Sequence, residues 1–152
     1  MTPPRLCVVG MATRDTLLSL QNRPEKASSP HPVTEAIECP GGKGVVAAVA
    51  AAHAGAEVEL WARTGRDWEA TDDHVKVSVR SELQTSHLSS RTWNLLVDGV
   101  DVQTFVYEMP ERPLDRLGPS YSALRKSLNV ADGVILTTER SAWIHRAGSC
   151  RM

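Results

Sequence analysis

The chain has 152 residues, 41% hydrophobic and 23% charged, the balance of a soluble globular protein long enough to bury a core. Its 17 basic and 18 acidic residues leave a net charge of -1, so no basic excess draws it to nucleic acid or to an anionic membrane surface. No apolar run reaches bilayer-spanning length, and Arg5, Arg14 and Asp15 interrupt residues 1–20 where a signal peptide needs an unbroken apolar stretch, which leads us to expect a cytoplasmic protein.

Residues 5–10 (RLCVVG) form a short apolar run ending in glycine, which predicts a buried strand with Cys7 as a core thiol. Asp15 by itself fits the cap of a helix starting near Thr16. Residues 21–32, rich in Pro, Ser, Asn and Lys, predict a loop, and the alternation at 33–38 predicts an exposed strand. A glycine turn at Gly41–Gly44 then enters an alanine-rich helix over about 44–53, with Gly55 as its stop. Residues 57–63 (EVELWAR) predict the next strand, so that a βαβ unit with a parallel sheet is expected.

Over 68–91 the periodicity supports both a strand and a helical face, and a strand followed by a loop is the better match. Residues 93–107 carry a hairpin signal around Asp98-Gly99, with Val100, Val102, Thr104 and Val106 expected on one face. Leu117, Tyr121, Leu124 and Leu128 fall on one helical stripe, and 134–138 (VILTT) predict another buried strand. Residues 140–152 have no clean period.

The cysteines Cys7, Cys39 and Cys150 lack CxxC spacing and the five histidines are scattered, so no metal site is expected. The chemistry-bearing feature is Cys39-Pro40-Gly41-Gly42-Lys43-Gly44 at the helix entry. A glycine-rich turn lets main-chain N–H groups face a ligand, and a helix N-terminus adds positive potential. It is not a phosphate-binding P-loop, because Gly44 stands where that motif needs a Ser or Thr for magnesium.

The order of these pieces resembles the ribokinase-like (PfkB) family of carbohydrate kinases, in its N-terminal half. The matching segments are VVGMATRD at 8–15, PGGKGVVAAVAAAHAGA at 40–56 and TGRD at 64–67, with weaker likeness through 93–107 to VILTTE at 134–139. The resemblance implies an α/β fold: a partial, mostly parallel central sheet with flanking helices, and a small β lid formed near 33–38 and 93–107. It covers 1–139 and leaves 140–152 as a tail. It implies that Asp15 accepts hydrogen bonds from substrate hydroxyls, that Gly41, Gly42 and Lys43 contact the sugar, and that Glu139 closes the site.

An intact family member uses ATP and Mg2+ to phosphorylate a sugar or nucleoside hydroxyl. This sequence departs from that pattern: Val46 replaces the asparagine expected after the GGKG turn, Arg66 replaces an acidic residue, and no Gly-Ala-Gly-Asp motif supplies a catalytic base. The expectation is a chain that keeps the acceptor half, lacks the base and nucleotide half, holds no cofactor itself and is inactive alone. The alternative is a non-catalytic sugar-binding or interaction protein, dimerising through the lid strands.

Overall fold

The computed structural model describes residues 2–23, 31–68, 77–84, 88–107 and 118–137. In chain order these form β1 (Arg5–Val9), β2 (Thr13–Leu20), β3 (Val33–Gly41), α1 (Lys43–His53), β4 (Glu57–Gly65), β5 (Val77–Gln84), β6 (Arg91–Val97), β7 (Val100–Tyr107), α2 (Gly118–Val130) and β8 (Gly133–Leu136). They build two sheets, ordered β5-β4-β1-β8 and β3-β2-β6-β7.

The first sheet is parallel throughout and carries the core. Residues alternate across a strand, so β1 presents Val8 to one face and Cys7 and Val9 to the other. Val8 packs with Val58, Leu60 and Ala62 of β4 and with Ala48 of α1. Cys7 and Val9 pack with Trp61 and with Leu124 of α2. A sheet covered on both faces needs apolar residues at successive positions, which is why β1 reads as an unbroken apolar run. The α2 stripe is as expected at Leu124 and Leu128, both against this second cluster. Leu117, Glu139, Cys150 and the tail at 140–152 lie outside the described residues, as does most of the brief segment after Asp67.

The second sheet is mixed: β2 pairs antiparallel with β3 and parallel with β6, and β6 pairs antiparallel with β7. Asp98 (φ 53°) and Gly99 (φ 75°) both take positive φ, as the two-residue hairpin turn requires. The pairing Leu95↔Gln103 followed by Leu96↔Asp101 leaves Val102 as an extra residue in β7. That bulge breaks the expected single face: Asp101, not Val102, stands beside Thr104, whose hydroxyl donates to its carboxylate at 2.8 Å.

Two further expectations change. Asp15 does not cap a helix; it lies inside β2, whose sequence TRDTLLSL becomes a strand because β3 and β6 flank it on both sides. The strand expected at 33–38 runs on through Cys39 and Pro40 to Gly41, so the first glycine of the expected Gly41–Gly44 turn is a strand residue. Pro40 is tolerated because β3 is a sheet edge, where a missing N–H breaks no inner ladder. Among the described residues no helix is long and apolar enough to cross a membrane.

Among the described residues β8 is an edge strand of the core sheet, and its Val134 and Leu136 are each 46% exposed. Their register partners Cys7 and Val9 place them on the α2 side, beyond the cover that α2 gives β1. An open apolar edge of this kind favours association. Sedimentation velocity should show self-association that rises with concentration and weakens in the Val134→Lys, Leu136→Lys double variant; a single monomer boundary at all concentrations would contradict it.

Candidate functional site

The site forms where β1 and β8 end and α1 begins. Gly10 prolongs β1 by donating its N–H to the Trp61 carbonyl at 3.1 Å, and Thr137 prolongs β8 by donating to Val9 at 3.0 Å. The helix entry is set by Gly42 at φ 91° and ψ 151°, a conformation open essentially to glycine alone. No side chain caps α1. The Gly44 N–H instead donates to the Met11 carbonyl at 3.0 Å.

A Cβ on Gly42 would meet the Met11 oxygen at 2.6 Å, and one on Gly44 would meet it at 2.8 Å and the Gly10 carbonyl carbon at 2.9 Å. These glycines therefore let main chain approach main chain. This sharpens the outward-facing cradle expected from the sequence, since the Gly44 amide is committed to the protein.

Asp15 and Gly41 are brought into contact: a Cβ on Gly41 would fall on the Asp15 carboxylate. Asp15 lies opposite Cys39 on β3 and Thr92 on β6, so the three share one face of the second sheet. The buried Thr13 hydroxyl donates to Asp15 Oδ1 at 2.6 Å and orients the carboxylate. An ionised carboxylate offers about four acceptor positions, so this bond leaves capacity for further donors. Gly42 and Lys43 follow Gly41 directly, as the helix cap and the exposed first residue of α1. Glu139 lies outside the described residues. Val46, in the first turn of the helix, is 64% exposed and presents methyl groups where a hydrogen-bonding side chain was expected.

Thr137 and Asp67 complete the surroundings. Thr137 places its hydroxyl against Gly10, where the oxygen is buried with no hydrogen-bond partner among the described residues. Asp67, noted in the sequence only within TGRD, accepts from Arg91 Nη2 at 2.6 Å and from the Ser89 N–H at 2.6 Å. Burial pushes the Asp67 carboxyl up, but the bonds from Arg91 and Ser89 outweigh it and hold the group well below the usual carboxylate range. Burial, with Glu59 nearby, raises the Cys7 thiol to about 11, as suits a core thiol. Burial and the Asp15 charge likewise raise Cys39. Both thiols therefore stay protonated at neutral pH.

Among the described residues no group of three or more His, Cys, Asp or Glu converges to hold a metal ion. The Gly44 amide, which a helix N-terminus would offer to a phosphate, is taken by Met11. The described residues thus offer a magnesium–nucleotide group neither a converged ligand cluster nor a free Gly44 amide.

No protein-family model and no curated protein matches the chain. Solved structures do. A carbohydrate kinase from Agrobacterium tumefaciens is similar over 88% of this chain and 45% of its own, at 19% identity and TM-score 0.65. A microbiome-derived acarbose kinase is similar over 89% of this chain and 46% of its own, at 19% identity and TM-score 0.66. The Arabidopsis thaliana ribokinase, complexed with ribose and ATP, is similar over 89% of this chain and 45% of its own, at 20% identity and TM-score 0.60. The chain has the ribokinase-like fold, a mostly parallel α/β sheet with few helices, and spans a little under half the length of these structures.

Gly42→Ala should lower stability by roughly 1–3 kcal/mol in urea titrations, from its strained φ and the clash with Met11; an unchanged midpoint would contradict the fit described. Asp67 gives a pH prediction. Its folded pKa is depressed, so its contribution is complete above the unfolded carboxylate pKa of about 3.9 and is lost as pH falls through the lower folded value. The stability gap between the parent chain and Asp67→Asn should hold constant from pH 7 to 5 and shrink only below about pH 4. A gap already closing near pH 6 would show that the carboxylate is not held as described.

Proposed function

We propose that this chain is the acceptor-binding part of a PfkB-type carbohydrate kinase. It holds hydroxyl groups of a sugar or nucleoside between the Asp15 carboxylate and the Gly41-Gly42-Lys43 segment. The observation that carries the reading is the carboxylate of Asp15 standing over Gly41, directly before the helix entry. Two acceptor oxygens on one fixed carboxylate suit a vicinal diol. Thr13 keeps that carboxylate from rotating away. Val46 weakens the site by one hydrogen bond relative to the family pattern.

Phosphoryl transfer needs a positioned nucleotide and charge stabilisation around the phosphate. The reading gives the described residues neither role, so no transfer step is assigned to this chain. ATP and Mg2+ belong to the reading of a whole family member only. Binding without phosphorylation is what this chain does by itself.

Calorimetric titration with ribose, fructose and adenosine tests the reading. At least one should bind, and Asp15→Ala should weaken that binding about tenfold or more, as loss of charged hydrogen bonds costs about 1.5–3 kcal/mol. The same mixtures with ATP and Mg2+ should yield no phosphorylated product. No heat with any of the three, or binding indifferent to Asp15→Ala, would remove the reading.

A further inference from the structure

Arg14 and Arg91 stand opposite each other at the start of the parallel β2–β6 pair, on the same face of the second sheet. Like charges at directly paired positions repel, and nothing within the β2–β6 pair itself offsets two adjacent guanidiniums. The compensation comes from Glu38 of β3 and from the turn that follows β4. Asp67, just beyond the end of β4, accepts from Arg91 Nη2 at 2.6 Å through Oδ2 and from Arg14 Nη1 at 2.7 Å through its main-chain carbonyl. Its remaining carboxylate oxygen accepts from the Ser89 N–H at 2.6 Å, and the Ser89 hydroxyl in turn accepts from the Gly65 N–H at 2.9 Å. Arg14 completes the arrangement with Glu38 of β3 at 2.8 Å, and its own N–H donates to Ser90 at 2.8 Å.

Asp67, in the turn that follows β4, thus ties both inner strands of the second sheet at the point where they leave the core. The carboxylate is shielded, with the Asp67 side chain 14% exposed, so these charge-assisted bonds are stronger than exposed ion pairs. The register carries the consequence to the site. Side chains alternate along β2, so fixing Arg14 on one face fixes Asp15 on the other, where it stands over Gly41.

We infer that Asp67 is a positioning residue: through Arg14 and Arg91 it clamps the second sheet at a fixed pitch on the core sheet and thereby holds the Asp15 carboxylate in register with Gly41. The clamp stands on the contacts above; its effect on a ligand rests on the acceptor-binding reading. The strands that flank the clamped pair, β3 and β7, are exposed along most of their length.

Hydrogen exchange with mass spectrometry tests this on the whole chain. Asp67→Asn should raise exchange about tenfold or more across β2 and β6 and leave β1 and β4 unchanged. Arg91→Gln should do the same, whereas Arg91→Lys, which keeps the charge, should restore most of the protection. Unchanged exchange in β2 and β6, or an equal rise in both sheets, would overturn the clamp. Where an acceptor binds the parent chain, Asp67→Asn should also weaken it without removing binding, and full parental affinity would overturn the coupling to Asp15. If no acceptor binds the parent chain, the acceptor-binding reading fails, and the exchange pattern alone decides the clamp.

Discussion

The close approach of the α1 entry to the end of β1 constrains everything near the site. Gly44 lies against Gly10 and Met11 at distances that exclude any side chain, and its N–H closes onto the Met11 carbonyl. That contact joins the first strand of the chain to its first helix across more than thirty intervening residues. It sets where the helix starts, which face of α1 meets the sheet, and where β3 must end. Gly42 then needs its positive φ to carry the chain from the edge of one sheet into a helix packed on the other.

A second constraint ties the two sheets together. The core sheet is stabilised by burial on both faces, with Val8 and Leu60 fully enclosed. The other sheet has little of this; β3 and β7 are exposed along most of their length. Its attachment depends on directional polar contacts through Asp67, Arg14, Ser89 and Arg91. Among the described residues these hydrogen bonds hold the sheet at one end.

The ribokinase-like fold fits this division. The core sheet and α1 form the rigid floor that carries the helix entry, and the second sheet brings Asp15 to it. The glycines of the signature segment have structural reasons that do not depend on a ligand. Asp15 is different: its carboxylate is oriented by Thr13 yet retains acceptor capacity, so it carries the functional reading more directly than the glycines do.

Much of the framework was legible along the chain, because it follows from local chemistry. Apolar runs marked β1 and β4, small residues and Gly55 marked α1, and Asp98-Gly99 marked the hairpin, since the positive φ angles of its turn are a property of those two residues. The stripe at Leu124 and Leu128 marked α2. What the chain could not announce depends on partners far away in sequence. TRDTLLSL is a strand only because β3 and β6 flank it, and Pro40 is a strand residue only because its strand lies at an edge. The bulge at Val102 reassigns a whole face by one residue. In the sequence Asp67 is only the end of TGRD, and its meaning comes from Arg14, 53 positions away, and Arg91, 24 away. The sequence by itself determined the elements and the residue types at the helix entry, because dihedral preference and hydrophobic period act over a few residues. The tertiary structure alone decided which carboxylate meets which glycine and what holds the second sheet in place, because hydrogen bonds and close packing act between whichever groups folding brings together.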